Sequence, residues 1–392
     1  MNITICGCGN GAHACAALLS KKGHAVNIYS PLSREIELFK TNYETCNGLT
    51  LTMQSDARIE MFKNLKLNKI TDKPEEVIRD SSIIIIIVPA FAHGNIFTCI
   101  KKYVSKNNLI VILPSRGGIE FEVNSIMPDA NVVAFQTLPW ACRLKKFGGE
   151  INISGVKNKI QAAAMPTDMP SAFFNDLEEL LDLKIERLKS TLTLTLANIG
   201  QIFHPGIMYG LFKNNPDITF TEKDIPLFYE NVDEGIAAIL SSMSDEIREV
   251  ARALNKVNEK VESDKVLHAK DWMIGAYDGL IEDTSSLHSM FHTNGAYKGI
   301  KAPTKKMNNG MHAPDFGARY IVEDIPYGLL VTRSIAEMVN VETPVIDEVL
   351  SNIGKWVHYD YLGKLKEVKN LAKKSRLPEF YCINSIEKLM TL

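Results

Sequence analysis

Long hydrophobic runs are scarce in this chain. The longest, Ile83–Ala92, contains Pro89 and falls far short of the ~20 residues a membrane helix needs. A basic-then-apolar leader is missing too, because a strand-like run and a glycine loop begin at Asn2, so no secretory signal is expected. Charge of one sign is also lacking. Lys and Arg number 44 against 46 Asp and Glu, a formal net charge of −2, which gives no electrostatic reason to expect nucleic acid. The lysine-rich stretch Lys364–Lys374 is interleaved with Glu367 and apolar residues and reads as a solvated helix face. The seven cysteines show no zinc-like pairing, and Cys6 and Cys8 stand two apart, which is neither a C-x-x-C redox motif nor a metal hairpin. These absences predict a reduced, cytoplasmic protein, monomer or homodimer, with no metal, nucleic-acid or membrane partner.

What is present is concentrated at the start. The apolar run Asn2–Cys6 breaks into Gly7-Cys8-Gly9-Asn10-Gly11-Ala12-His13 and reopens as the small-residue stretch Ala14–Leu19. Strand, Gly-x-Gly-x-x-Ala, helix is the dinucleotide fingerprint in its required context. Gly7 permits the tight turn and Gly9 lets a pyrophosphate approach the backbone. Ala12 packs helix on strand, and the helix N-terminus offers N–H groups to phosphate. A bare glycine match is weak and also describes an ordinary loop between core elements; its place in the strand–helix order sets this one apart.

At 392 residues the chain is too long for one ordinary core. Strand and helix alternate through the first half, with strands expected at Ala25–Tyr29, Ile83–Val88, Leu109–Leu113 and Asn131–Phe135. The unbroken β-branched run at Ile83 is that of a strand buried on both faces of a parallel sheet. Gly48–Met53 alternates with period two and suggests a hairpin arm inserted into the sheet. Lys73–Asp80 reads as a short acidic helix, and Cys142–Val156 as a hairpin turning at Gly148-Gly149. Beyond residue 190 long helical periodicity takes over, at Thr191–Gly210, Glu230–Val257, Val331–Met338, Val345–Lys355 and Asp360–Ala372. The reading is a doubly wound α/β Rossmann domain with a mainly parallel sheet (1–190) followed by an all-α domain (191–392), with substrate in the cleft between them.

The cofactor is NAD or NADP. No Asp or Glu stands at the end of the second strand, where Tyr29-Ser30-Pro31 continues to Arg34. Ser30 is a candidate for the ribose and Arg34 for the adenine or a 2′-phosphate, although Arg34 suits the outer surface of the next helix equally well. In the second half His204 lies where a helical run meets Pro205 and Gly206, with Asn198 and Gln201 on nearly the same face. Proline there is expected to kink the helix and open the histidine to a cleft, whereas most lone histidines in apolar surroundings are satisfied core residues. The stretch Ala313–Pro326 packs Asp315, Arg319, Glu323 and Asp324 between two prolines. Arginine offers a planar fork for a carboxylate, and an aspartate can fix an imidazole's tautomer.

Several longer stretches carry a resemblance. Gly9–His13, Val88-Pro89-Ala90-Phe91-Ala92-His93, Thr137–Arg143, Phe203-His204-Pro205, Pro226–Tyr229, Tyr297–Gly299 and Ala313–Pro326 are similar to the opine dehydrogenases, in particular the octopine dehydrogenase type, almost from end to end. The resemblance implies a Rossmann domain with an all-helical partner domain. It also implies NAD(P)H-dependent reductive condensation of an amino acid with an α-keto acid, often pyruvate. It implies that His204 is the general acid/base, Asp324 its partner and Arg319 the holder of the keto-acid carboxylate. Thr137, Cys142 and Trp272 are implied as pocket residues, with Asn10 and Pro89 in the cofactor-binding stretches.

The chain departs from that pattern at three positions. Asn198 and Gly200 stand where octopine dehydrogenases have a methionine and a tyrosine, and Arg116 where they have a glutamine. Arg116 is expected either to meet a substrate carboxylate, which disfavours a cationic donor such as arginine, or to turn outward to solvent. Glycerol-3-phosphate dehydrogenases and ketopantoate reductases share the two-domain layout, but typically place a lysine at the catalytic point. A non-catalytic dinucleotide sensor is a further reading, opposed by the presence of both His204 and Asp324.

Overall fold

The computed structural model describes residues 1–55, 58–363 and 375–391. It divides into two compact units, Met1–Ser115 with Ile119–Thr191, and Arg116–Gly118 with Leu192–Leu392. The short loop Arg116–Gly118 therefore groups with the helical unit, although its neighbours on both sides belong to the first.

In the first unit the strands are β1 (Asn2–Cys6), β2 (Ala25–Tyr29), β3 (Leu49–Ser55), β4 (Arg58–Leu65), β5 (Lys69–Thr71), β6 (Ile83–Ile86), β7 (Leu109–Ile112), β8 (Asn131–Phe135), β9 (Trp140–Lys146), β10 (Glu150–Val156), β11 (Lys159–Met165) and β12 (Lys184–Leu188). The principal helices here are α1 (Asn10–Lys21), α2 (Ser33–Thr45), α3 (His93–Ile100), α4 (Ile119–Ile126) and α5 (Ser171–Leu181). Eight strands form one sheet in the order β12-β11-β8-β7-β6-β1-β2-β5. Every pairing in it is parallel except β11 on β8. All four residues of β6 are buried, as a central parallel strand demands.

The Gly48 arm does not enter this sheet. β3 joins β4, β10 and β9 in a separate four-stranded sheet. Period-two alternation identifies a strand with one wet face but is silent on its partner. This second sheet is fastened to α1, where Asn10 Oδ1 accepts from the Leu144 amide at 2.8 Å. The expected acidic helix at Lys73–Asp80 is reduced to the single 3₁₀ turn Pro74–Glu76.

The second unit is built from α6 (Thr191–Leu196), α7 (Gly200–Phe212), α8 (Glu234–Val257), α9 (Ala269–Ala276), α10 (Leu287–Thr293), α11 (Arg319–Val322), α12 (Leu330–Met338) and α13 (Pro344–Trp356). A two-stranded ribbon, Thr304–Lys306 with His312–Pro314, is added to the helices. The long helix expected from Thr191 breaks before Gly200 rather than at Pro205, which lies inside α7. The cause is Asn198, whose Oδ1 accepts from the Gly200 amide at 3.2 Å and so competes with the helical ladder. α8 starts where Asp233 accepts from the Ile236 amide at 2.7 Å, and its apolar stripe buries Ile236, Leu240, Met243 and Ile247. The expected helix at Asp360–Ala372 lies mostly outside the described residues, and Lys364–Lys374 lies entirely outside them. Among the described residues no helix is long and apolar enough to cross a membrane.

Candidate functional site

In the first unit the fingerprint loop follows β1 at the carboxyl end of the parallel sheet. Gly7 has φ +128°, and a Cβ on it would stand 2.3 Å from the Ile87 carbonyl oxygen, so only glycine closes this turn. Gly9 precedes α1 in extended conformation, and a Cβ there would meet nothing within 4 Å. Open space beside a backbone that ends at a helix N-terminus is what a pyrophosphate requires, so these residues fit a dinucleotide. Gly11 and Ala12 are buried in the first turns of α1, and Pro89 caps the turn after β6. Asn10 opens α1, and its side-chain oxygen accepts from the Leu144 amide.

Two residues that sequence reasoning did not single out hold this loop. His13 is buried, and its Nε2 accepts from the Gly148 amide at 2.8 Å. Nδ1 therefore carries the proton and donates to the Gly9 carbonyl at 2.9 Å. Burial pulls the His13 imidazole down to about 4, so it is neutral at ordinary pH. Glu35, in the first turn of α2, accepts a hydrogen bond from Ser30 Oγ at 2.7 Å and contacts the buried Cys8 thiol. An acid thus does reach the end of β2, supplied from the following helix. Ser30 is buried while Arg34 is exposed.

Thr137 is half-buried in the turn after β8. The next residue, Leu138, packs at Gly11 and accepts through its carbonyl from Lys157 Nζ at 2.8 Å. Burial lowers the Lys157 amine to about 8. Cys142 lies in β9, and burial pushes its thiol up to about 11, so it is present as the thiol.

In the second unit α7 and the Arg319–Asp324 segment meet. His204 Nδ1 lies 2.7 Å from Asp324 Oδ2. Asp324 is buried; burial works to raise its carboxyl, but Arg116 first, then His204 and Arg319, outweigh it and hold it below the usual carboxylate range. An ionised Asp324 accepts the Nδ1 proton, which fixes the tautomer and leaves Nε2 for substrate. Tyr320 stacks on the His204 ring at 4.0 Å and 8°, with Phe228 4.8 Å from Tyr320. Glu323 Oε2 accepts from Arg319 Nε at 2.7 Å and pairs with its Nη2 at 2.6 Å. Trp272, on α9, meets the Phe203 ring edge-on at 5.8 Å, next in the chain to His204.

Arg116 is directed inward. Its Nη1 stands 3.0 Å from Asp324 Oδ1, its Nε 3.5 Å from Glu323 Oε1, and Nη1 also donates to Asn198 Oδ1 at 3.2 Å. The carboxylates it meets are the protein's own, in the place where a substrate carboxylate was expected. Its charge is therefore matched internally, and the electrostatic ground for disfavouring a cationic donor falls away.

Two family models match successive parts of the chain. Residues 187–356 match the family described as NAD/NADP octopine/nopaline dehydrogenase, alpha-helical domain. Residues 2–132 match the N-terminus of NAD-dependent glycerol-3-phosphate dehydrogenase. An opine dehydrogenase of Haliotis discus hannai is 32% identical over 100% of this chain and 99% of its own. The chain belongs to the opine dehydrogenase family. A tauropine dehydrogenase of Arabella iricolor is 30% identical, over 99% of each chain. The solved octopine dehydrogenase with NADH and L-arginine superposes with a TM-score of 0.88 at 30% identity, covering 99% of this chain and 97% of that one. Like other members, this opine dehydrogenase is an NAD- or NADP-dependent oxidoreductase. The nucleotide half is common to wider dehydrogenases, and it is the helical half that carries the opine signature.

Proposed function

We propose that this opine dehydrogenase joins the amino group of an amino acid to an α-keto acid, with pyruvate the foremost candidate, and reduces the resulting imine to a secondary-amine dicarboxylate. The observation that carries the reading is the 2.7 Å His204–Asp324 pair beside Arg319. Solved octopine dehydrogenases hold NADH with arginine, agmatine or pyruvate, which supports the same pair of substrate classes here.

In this reading Arg319 holds the keto-acid carboxylate through its planar fork. Protonated His204 presents Nε2–H to the keto oxygen while the amine adds, and gives its proton as water departs. Asp324 keeps the imidazole oriented and stabilises its charged form. Gly7, Gly9 and the α1 N-terminus bind the pyrophosphate, with Ser30 and Glu35 serving the ribose. When bound, the dinucleotide supplies the hydride that reduces the imine. In the reverse direction neutral His204 takes the proton from the secondary amine. Thr137, Cys142, Trp272 and Asn198 are proposed as pocket walls.

The deciding experiment is a steady-state screen of amino acids against several α-keto acids with NADH and NADPH. Cofactor oxidation that requires both substrates is expected. Turnover with the keto acid alone would assign the chain to simple carbonyl reduction instead.

A further inference from the structure

Arg116 is placed where a simple substrate clamp would not be. Its side chain is 15% exposed and its backbone has φ +62°, a strained conformation for a non-glycine residue that persists only when the surroundings impose it. They do so here: the Gly117 amide donates to the Tyr327 carbonyl at 2.7 Å, and the Gly118 amide to Thr195 Oγ1 at 3.0 Å. The guanidinium then fills space that Gly200 leaves open. A Cβ at 200 would stand 2.6 Å from Arg116 Nη1 and 2.9 Å from Asp324 Oδ1. Arg116, Asn198 and Gly200 thus form one arrangement that delivers a permanent cation to the rear of Asp324.

We propose that Arg116 is a positioning residue for proton transfer. It fixes the Asp324 carboxylate against His204 and, by sharing that charge, lets His204 release its proton at a lower pH than a neutral residue at 116 would allow. The proposal rests on His204 being the general acid/base of the reading above.

The charges around the pair support the direction. Asp324 offers Oδ2 to His204, and its Oδ1 has no hydrogen bond among the described residues, so the Arg116 ion pair is what compensates it. Arg116 and Arg319 balance Glu323 and Asp324, and protonation of His204 adds a positive charge to a cluster already neutral. With Gln at 116 the cluster carries a net negative charge and draws the proton more strongly. Tyr320 is stacked on the His204 ring, and Tyr229, hydrogen-bonded to Tyr320, is kept protonated by burial. From α8, Leu240 and Met243 close on Gly206 of α7. From α13, Glu348 accepts from Tyr209, more than a turn past His204. The functional consequence is read in the direction of reaction: oxidation of the secondary amine needs neutral His204 as base and condensation needs it protonated, so Arg116 sets where along the pH scale the two exchange.

The test is Arg116→Gln, read in two ways. NMR titration of the His204 ring in the substrate-free protein should show its midpoint rising by on the order of one pH unit. The His204-dependent limb of kcat in each direction should move by the same amount, with KM for the keto acid changing less than about threefold. Arg116→Lys should restore part of the shift, and Gly200→Ala, which displaces the guanidinium without removing it, should reproduce it. An unmoved ring midpoint in both Arg116→Gln and Gly200→Ala overturns the proposal. A tenfold rise in KM with an unmoved pH profile also overturns it, in favour of a substrate clamp. The ring titration needs no turnover, so failure of the proposed reaction is read separately, by the substrate screen.

Discussion

Glu323 grips Arg319 through a single oxygen: Nε and Nη2 converge on Oε2 at 2.7 and 2.6 Å. The glutamate side chain is 1% exposed and the arginine 59%. A buried carboxylate thus anchors an accessible guanidinium and leaves part of its donor fork for a ligand carboxylate. The same glutamate lies 3.5 Å from Arg116 through Oε1, so it is the negative group that lets two arginines share one site.

Arg319→Gln is expected to raise KM for the keto acid by roughly tenfold or more, the worth of one charge-assisted hydrogen bond, with kcat falling less. Glu323→Gln leaves Asp324 as the carboxylate shared by both arginines and, because Arg319 is largely exposed, should lower unfolding free energy by about 1 kcal/mol. Urea denaturation of the variant measures it. A stability change within error would show that the pairing contributes nothing to folding.

The acid–base pair gives a sharper kinetic expectation. His204→Gln should leave dinucleotide affinity near wild type and lower kcat by ~10²–10⁴-fold. Asp324→Asn should lose less activity, since the imidazole stays while its orientation and charge support go. Stopped-flow binding and steady-state rates separate the two effects. If His204→Gln keeps most of its kcat, another group moves the proton.

The sequence made the first unit readable because its signals are local. Three glycines in five residues and the isoleucine run at Ile83 each specify their own structure. The separate sheet of β3, β4, β10 and β9 was hidden because alternation says which face is buried, not which strand lies beside it. At the candidate site the Arg319–Glu323 spacing of four was available as a helical pair, as was Tyr320 four before Asp324. The Arg116–Glu323 contact spans 207 positions, and no local pattern announces it. Glu35 was overlooked for a related reason, since it reaches the strand end from the next helix.

His13 predicts a pH dependence of stability. Burial lowers its imidazole from 6.5 in the unfolded chain to about 4 in the folded one. The folded state therefore binds the proton less tightly, so the stabilisation is complete above about pH 6.5 and is lost as the pH falls from there toward 4. At pH 5 this single group should remove about 2 kcal/mol relative to pH 7.5. His13→Gln should be less stable at neutral pH but should lose less on acidification. Urea midpoints for both proteins across pH 7.5–5 check this, and parallel curves would exclude His13 as the source.

The last expectation concerns the choice between NADH and NADPH. The first turn of α2 follows β2 at the edge where Rossmann domains receive the adenine ribose. Glu35 is tied there by Ser30 Oγ at 2.7 Å, and burial keeps the neighbouring Cys8 thiol protonated, so the contact adds no second negative charge. A fixed carboxylate accepts hydrogen bonds from ribose hydroxyls and repels a 2′-phosphate. Arg34, one residue earlier and exposed, attracts the same phosphate, so the two side chains oppose each other. The carboxylate is held in place and the arginine is solvated, which screens the arginine more, so NADH should be preferred. Glu35→Gln should then raise the NADPH-to-NADH ratio of kcat/KM by roughly tenfold, and Arg34→Ala should lower it by a smaller factor. If Glu35→Gln leaves the ratio unchanged, the ribose is read by other residues and Glu35 serves only to pin Ser30 and Cys8 beside the loop.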